Sequence, residues 1–472
     1  MLGRWLPFVL VLSLLGGAAA AYRFELGGRW FGTGEPDRPS REPAAVAPPA
    51  GLEVPALERP APVAAAAQRD ALSAAAVRRA LAPGLRDRDL GRSVHAAVAP
   101  LDGGAPVFES GRGGFVPASS TKVVTAAAAL AELGPDHRFS TTVVGPVARR
   151  GALTLVGGGD PLLESRPAAE GAWPPRADVV DLARQTARSL REQGRRGPVR
   201  LAYDDSLFTG PADNPYWRAD YVADDIVSPI GALWVDDGLD PDGFGRSDDP
   251  AGGAAAAFAS ALRDQGVRVV GTIRRTPAPR GADDLASVSS APLSAIVERV
   301  VEVSDNEGAE VLARHVAIAR GEPASFGGAA RALTASLADL GVPLAGVVLR
   351  DGSGLSRDAR LTGAALVAVL QAAADADRPG LRPVLTGLPV GGFTGSLATR
   401  FDTGPRVGVG RVRAKTGTLT GVRALAGVAT DRAGTAMAFV LSADRIRYRD
   451  TVDAEQDLDE LAGALGACRC TR

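Results

Sequence analysis

The chain has 472 residues, 46% of them hydrophobic, with 53 Lys and Arg against 54 Asp and Glu for a net charge of −1. This length provides for more than one domain and ample core, and the near-neutral balance excludes a protein whose main partner is nucleic acid, which needs a concentrated basic surface. The 57 glycines and 34 prolines follow no G-x-y period, so the chain is not collagen-like and is expected to contain a linker and many turns.

Behind Arg4, an uncharged run of 17 residues from Trp5 to Ala21 predicts export. Residues 1–32 serve either as a signal peptide, with a cleavage site among the small residues Ala18 to Ala21, or as a retained membrane tether. Residues 33–75 follow as a Pro/Ala-rich linker, with eight prolines between Pro36 and Pro62. A short helix is expected from Ser73 to Leu81, then strands from Ser93 to Ala99 and Pro106 to Glu109 about the turn Asp102-Gly103-Gly104. Pro117 stops the extended segment, a helix starts at Ser119, and Gly134 closes it. The alanines from Ala126 to Ala129 make this a thin helix that can be packed on all sides.

Between about 140 and 290 the pattern turns to short strands: Ser140 to Val144, Leu153 to Val156, Val199 to Tyr203, Ala232 to Val235 and Val267 to Arg274. Helices are expected from Val180 to Glu192 and from Ala254 to Gln265. Helical periodicity resumes near Leu293 and continues through Glu310 to Arg320, Gly328 to Leu340 and Thr362 to Ala374. Strands follow at Val407 to Ala414, Val422 to Thr430 and Thr435 to Leu441, with a last helix from Glu455 to Leu465. This order predicts an α/β (α+β) domain assembled from 76–142 and 290–465, split by an inserted turn-rich module at 143–289 and ending in a tail at 466–472.

The only cysteines are Cys468 and Cys470. A bridge between them would close a tiny ring and no distant partner exists, so no disulfide is expected. The three histidines, His95, His137 and His315, are scattered, and neither HExxH nor CxxC occurs, so no zinc site and no Ser-His-Asp mechanism is expected.

Three short groups carry chemistry. In Ser119-Ser120-Thr121-Lys122, positions three apart on a helix share a face, so the Lys122 amine can reach the Ser119 hydroxyl. A lysine whose pKa is lowered by burial can take that proton. The bland alternative is a capping serine beside a surface lysine. In Ser304-Asp305-Asn306, alternate side chains of an extended or turn segment point the same way, letting Ser304 relay a proton while Asn306 hydrogen-bonds a substrate amide; here the alternative is a helix N-cap. In Lys415-Thr416-Gly417-Thr418, on a strand edge, Lys415 and Thr416 can bind a carboxylate and Gly417 lets a substrate approach the backbone. The N–H of Thr418 can then share an oxyanion with that of Ser119. Each group alone is a weak signal. Their joint occurrence in this order is the signature of serine acyl transferases of the penicillin-binding and β-lactamase type.

In PASSTKVVTAAAAL, VEVSDNEGAEVLARHVA, DGSGLSRDARLT and VRAKTGTLTGVRALAG, the sequence resembles the D-alanyl-D-alanine carboxypeptidase/endopeptidase family of class C low-molecular-mass penicillin-binding proteins, peptidase family S13. Weaker echoes are DDSLF at Asp204 to Phe208 and LPVGGFTGSLATRF at Leu388 to Phe401. The resemblance implies a catalytic domain with a central antiparallel sheet flanked by helices, and inserted domains in the gap of 182 positions between Lys122 and Ser304. It assigns Ser119 as nucleophile, Lys122 as general base, Ser304 as proton relay and Asn306 as peptide guide. Lys415 and Thr416 would hold the terminal carboxylate, and the N–H groups of Ser119 and Thr418 the oxyanion. The implied substrates are peptidoglycan stem peptides ending in D-Ala-D-Ala, with β-lactams as covalent inhibitors and no metal or organic cofactor. The loop from Asp351 to Ser356 looks like the family's glycine-rich segment near the active site; its composition alone reads as a turn with a serine N-cap, with a direct substrate role as the alternative. Gly157-Gly158-Gly159-Asp160 reads as a turn in the insert. Two other readings stand beside this one: a β-lactamase or D-amino-acid esterase/amidase using the same triple, and a non-catalytic wall-binding protein.

Overall fold

The computed structural model describes residues 71–145, 152–240, 244–401 and 408–471. The expected leader and most of the linker lie outside them. Among the described residues no helix is long and apolar enough to cross a membrane.

In chain order, α1 (Ala74–Leu81) precedes the hairpin β1 (Ser93–Pro100) and β2 (Phe108–Ser110), and then α2 (Thr121–Leu133). A second sheet begins with β3 (Ser140–Val144) and β4 (Ala152–Val156) and continues through α3 (Val179–Glu192), β5 (Arg200–Asp204), α4 (Pro250–Asp264), β6 (Arg274–Arg275) and β7 (Asp284–Ser289). The chain returns through α5 (Leu293–Val303), α6 (Asn306–Ala319), α7 (Phe326–Asp339), α8 (Gly363–Ala374) and the short α9 (Pro383–Thr386). It closes with β8 (Val412–Leu419), β9 (Val422–Thr430), β10 (Ala436–Asp444) and α10 (Thr451–Ala467).

The first sheet runs β2-β1-β10-β9-β8 and is antiparallel throughout. Its strands alternate with period two, and both faces are buried. Ala97, Ala99, Ala438 and Val440 face a core shared with α2, α5, α6, α7 and α8. Ala96, Val98, Met437, Phe439 and Leu441 face α1 and α10. Helix α2 threads the middle of the first core, with every residue from Thr121 to Leu130 buried. Its alanines let the neighbours approach that closely, and Gly134, at φ +83°, ends it.

The second sheet runs β6-β5-β4-β3-β7; β4, β5 and β6 are parallel, whereas β3 pairs antiparallel with β4 and β7. It packs on α3 and α4, which begin at the capping aspartates Asp178 and Asp249. The 142/143 boundary expected from the sequence falls inside β3. His315 of α6 joins this lobe to the first core, stacking on Phe139 at 4.1 Å with Nε2 3.0 Å from Gly159 O.

Several expectations need correction. Ala232 to Val235 is not a strand; it is a buried irregular segment ended by left-handed Asp236 and Asp237, where Trp234 fills a core. Over Val267 to Arg274, left-handed Gly271 breaks the pairing, leaving a single bridge at Val269 and the two-residue β6. The strand expected from Val407 lies further along, at Val412–Leu419, so the Lys-Thr-Gly group sits within it; residue 407 itself is outside the described residues. Strand β7 and the first turn of α10 were not anticipated.

Cys468 and Cys470, expected to be unbridged, form a disulfide. Just past α10 the two Cα atoms stand 5.3 Å apart, within ordinary disulfide range. The same tail pairs with the start of the described chain: Ser73 N–H donates to Cys470 O at 2.7 Å.

Candidate active site

Ser119 lies in a single 3-10 turn, Ala118–Ser120, with α2 starting only at Thr121. Ala118 stands at φ +48°, a conformation that L side chains seldom adopt. Lys122, in the first turn of α2, is fully buried. Its Nζ lies 2.9 Å from Ser119 Oγ, 2.7 Å from Asn306 Oδ1 and 2.9 Å from Ser353 O. Burial pulls the amine down to about 8, against the opposing pull of the carboxylates of Asp305, Glu310, Asp351 and Glu307.

Asn306 opens α6. Its neighbour Asp305 caps that helix by accepting from Gly308 N at 2.8 Å, and Ser304, at φ +63°, ends α5. The capping alternative therefore holds for Asp305, while Asn306 is free to face Lys122. Ser304 and Asn306 reach the same side through this left-handed turn rather than through extended backbone. Asn306 Nδ2 donates to Ile226 O at 2.8 Å, which orients the amide so that its oxygen meets Lys122.

Ser119, Ser304, Asn306 and Thr418 all line one cavity of about 720 Å³, together with Arg218, Tyr221, Leu355, Arg423 and Tyr448. Lys415 and Thr416 lie behind that lining. Lys415 is fully buried, with Nζ donating to Thr416 O at 3.0 Å, and burial, reinforced by the charge of Lys122, holds its pKa well below the usual lysine range. The Thr416 hydroxyl pairs with that of Ser396 at 2.8 Å. Edge strand β8 runs against the Ser119 turn, and a Cβ on Gly417 would stand 2.7 Å from Pro117 O and 3.2 Å from Ser120 Oγ. Gly417 is thus needed for strand and turn to approach.

Sequence reasoning missed several contributors. Glu310, fully buried in α6, accepts from Gly352 N at 3.0 Å and from Ser353 N at 2.7 Å, which shapes the loop that meets Lys122; burial pushes it up to about 7. A signal for it was present: Glu307, Glu310 and Arg314 recur at helical spacing in a helix whose other residues are mainly apolar, where polar residues need a purpose. The loop from Asp351 to Ser356, which the resemblance sets near the active site, meets Lys122 through the Ser353 carbonyl. Within it Gly354 sits at φ +84°, and a Cβ there would stand 1.8 Å from Ala118 O. Gly354→Ala is therefore expected to cost at least about 3 kcal/mol, measured by urea denaturation, and to displace Ser119.

The arrangement is that of a serine hydroxyl beside a buried amine with a lowered pKa, at a cavity bordered by an edge strand. The model of the D-Ala-D-Ala carboxypeptidase 3 (S13) family matches residues 77–241 and 243–465. A carboxypeptidase from Mycobacterium tuberculosis is 39% identical over 409 residues, spanning 84% of this chain and 85% of its own. A D-alanyl-D-alanine carboxypeptidase from Actinomadura sp. is 30% identical over 382 residues, 66% of this chain and 70% of its own. Penicillin binding protein 4 from Haemophilus influenzae shares the fold, with a TM-score of 0.66 over 82% of this chain and 98% of that one at 21% identity. A second structure of that protein, complexed with a β-lactam, gives 0.60 over the same shares at 21% identity.

Proposed function

The chain belongs to the D-Ala-D-Ala carboxypeptidase 3 (S13) family and is a carboxypeptidase of it, and on that premise we propose that Ser119 is the nucleophile by which it trims peptidoglycan stem peptides ending in D-Ala-D-Ala. The observation that carries this reading is the surroundings of Lys122. A neutral amine has two hydrogens and one lone pair. Asn306 Oδ1 and Ser353 O can only accept, so they take the two hydrogens and leave the lone pair to the Ser119 hydroxyl.

Ser119 Oγ attacks the carbonyl of the penultimate D-alanine as Lys122 takes the hydroxyl proton. The negative charge that forms on the carbonyl oxygen is held by the N–H groups of Ser119 and Thr418. Collapse breaks the peptide C–N bond, and Ser304 passes the proton to the departing D-alanine nitrogen. Asn306 guides the peptide, and Lys415 with Thr416 receives the terminal carboxylate, whose charge draws Lys415 into its cationic form. Water then hydrolyses the ester. A β-lactam forms the same ester when its ring C–N bond opens, but its leaving nitrogen stays tethered, so the ester persists. The enzyme works outside the cytoplasmic membrane, where this substrate lies, and residues 1–32 are its route there.

Incubation with benzylpenicillin is expected to add one penicilloyl group per chain, mapped by peptide mass to Ser119. An adduct on another residue, or none, would reject the assignment. Release of D-alanine from a stem pentapeptide, alongside slow loss of the adduct, separates this reading from a β-lactamase, which would shed the adduct within the assay. A cross-linked stem dimer in the same assay reads endopeptidase activity.

The base must be unprotonated to act, so acylation should rise as pH increases and level off above about 8. A rate that does not change between about pH 6 and 9 would exclude Lys122 as the base.

A further inference from the structure

Residues of the second lobe reach the loop beneath Lys122. Trp217, from the segment between β5 and α4, donates its indole N–H to Asp351 Oδ2 at 2.8 Å. Asp351 is fully buried, and its carboxylate also accepts from Gly354 N at 3.0 Å and Ser356 N at 2.6 Å. Between the residues so held stands Ser353, whose carbonyl takes one hydrogen of Lys122. The Trp217 segment is itself anchored: Asn214 Nδ2 donates to Arg350 O at 2.9 Å, and buried Arg314 donates to Thr209 O at 3.0 Å.

We propose that Trp217 is a positioning residue for acylation, holding Asp351 by its indole N–H and, through the loop that Asp351 ties, the Ser353 carbonyl that aims the Lys122 lone pair at Ser119. The inference rests on the reading of Ser119 and Lys122 as nucleophile and base. Its chemical basis is that a buried carboxylate keeps its charge and place only while donors surround it. Burial already raises the pKa of Asp351, and the indole and the two backbone N–H groups oppose that rise. Without the indole, Asp351 takes up a proton, gains a hydrogen with no acceptor, and releases the loop.

This gives a signature that a purely structural role lacks. The charged groups facing Lys122 are the carboxylates of Asp305, Glu310, Asp351 and Glu307, and the Lys415 amine. Losing the Asp351 charge removes one influence that keeps Lys122 protonated, so the acidic limb of the acylation profile moves to lower pH. At the same time the plateau falls, because the amine is misaimed.

The test is the pH profile of benzylpenicillin acylation for wild type, Trp217→Phe and Asn214→Ala, with Tm recorded for each. Phenylalanine keeps an aromatic ring towards Phe326, whose ring centre is 5.1 Å from that of Trp217, and removes the donor together with one ring of the indole. The expected result for Trp217→Phe is a plateau lowered roughly tenfold to a hundredfold with the acidic limb moved to lower pH. Asn214→Ala loosens the same segment and should leave the limb in place. A wild-type profile for Trp217→Phe, or a lowered plateau with no movement of the limb, overturns the proposal. Should Trp217→Phe not fold, Asp351→Asn removes the same charge at nearly constant size, and a wild-type profile from it overturns the proposal equally. If wild type is not labelled on Ser119, the reading of the site fails, and the inference with it.

Discussion

Lys122→Met is expected to slow acylation of Ser119 by about 10²- to 10⁴-fold while leaving a folded protein, measured as the rate of benzylpenicillin labelling alongside Tm. Methionine matches the lysine stem in volume and is at home beside the buried Val123, Val124 and alanines of α2. Its loss of donors leaves Asn306 Oδ1 and Ser353 O short of a partner, which costs on the order of 1–3 kcal/mol each. Removing a buried ionisable amine offsets part of that cost. Among the described residues, Lys122 is the amine hydrogen-bonded to Ser119 Oγ, whereas Lys415 Nζ bonds Thr416 O. Arginine at this position would keep its proton and should be as slow. Labelling within tenfold of wild type in Lys122→Met would remove lysine as the base.

Glu310→Ala should destabilise the protein by about 3–5 kcal/mol in urea denaturation, the largest stability loss expected from a side chain with no direct contact to the nucleophile. The carboxylate accepts the N–H groups of Gly352 and Ser353, both buried. Alanine strands both donors and opens a void in the middle of α6. Glu310→Gln keeps one acceptor oxygen and should lose roughly half as much, so the difference between the variants separates hydrogen bonding from volume. Equal stability of all three proteins would mean that the loop does not depend on this carboxylate.

The legible part of the site is the part held by side chains at fixed spacing. Ser119 and Lys122 are one helical turn apart, and that spacing alone brings their reactive atoms together. The approach of Asn306 to Lys122 was legible only through the company of the other two groups, since 184 positions separate the pair. The Ser353 carbonyl was not legible at all: every residue has one, and only the fold says which is aimed at an amine. Trp217 and Ile226 reach the site from irregular segments, where no periodicity marks a contact. Individual strands and helices follow from alternating and helical apolar patterns, while the antiparallel arrangement of the central sheet comes only from the family resemblance; Ala232 to Val235 shows the limit of reading patterns. A short apolar run looks the same whether it pairs in a sheet or fills a core. The Cys468–Cys470 bridge is not legible from ring size, because two residues two positions apart already stand within disulfide reach, here with Cα atoms 5.3 Å apart.

The register of the first sheet also bears on how the protein is made. Strand β1 pairs along its whole length with β10, Ser93 against Asp444. At about 5–20 residues per second, a ribosome needs roughly 20–70 seconds to deliver the partner that β1 awaits. The second lobe, contiguous in the chain, has all its strands long before then. Nascent β1 and the apolar α2 must therefore stay soluble in the meantime, and refolding of the full chain should be limited by this one long closure.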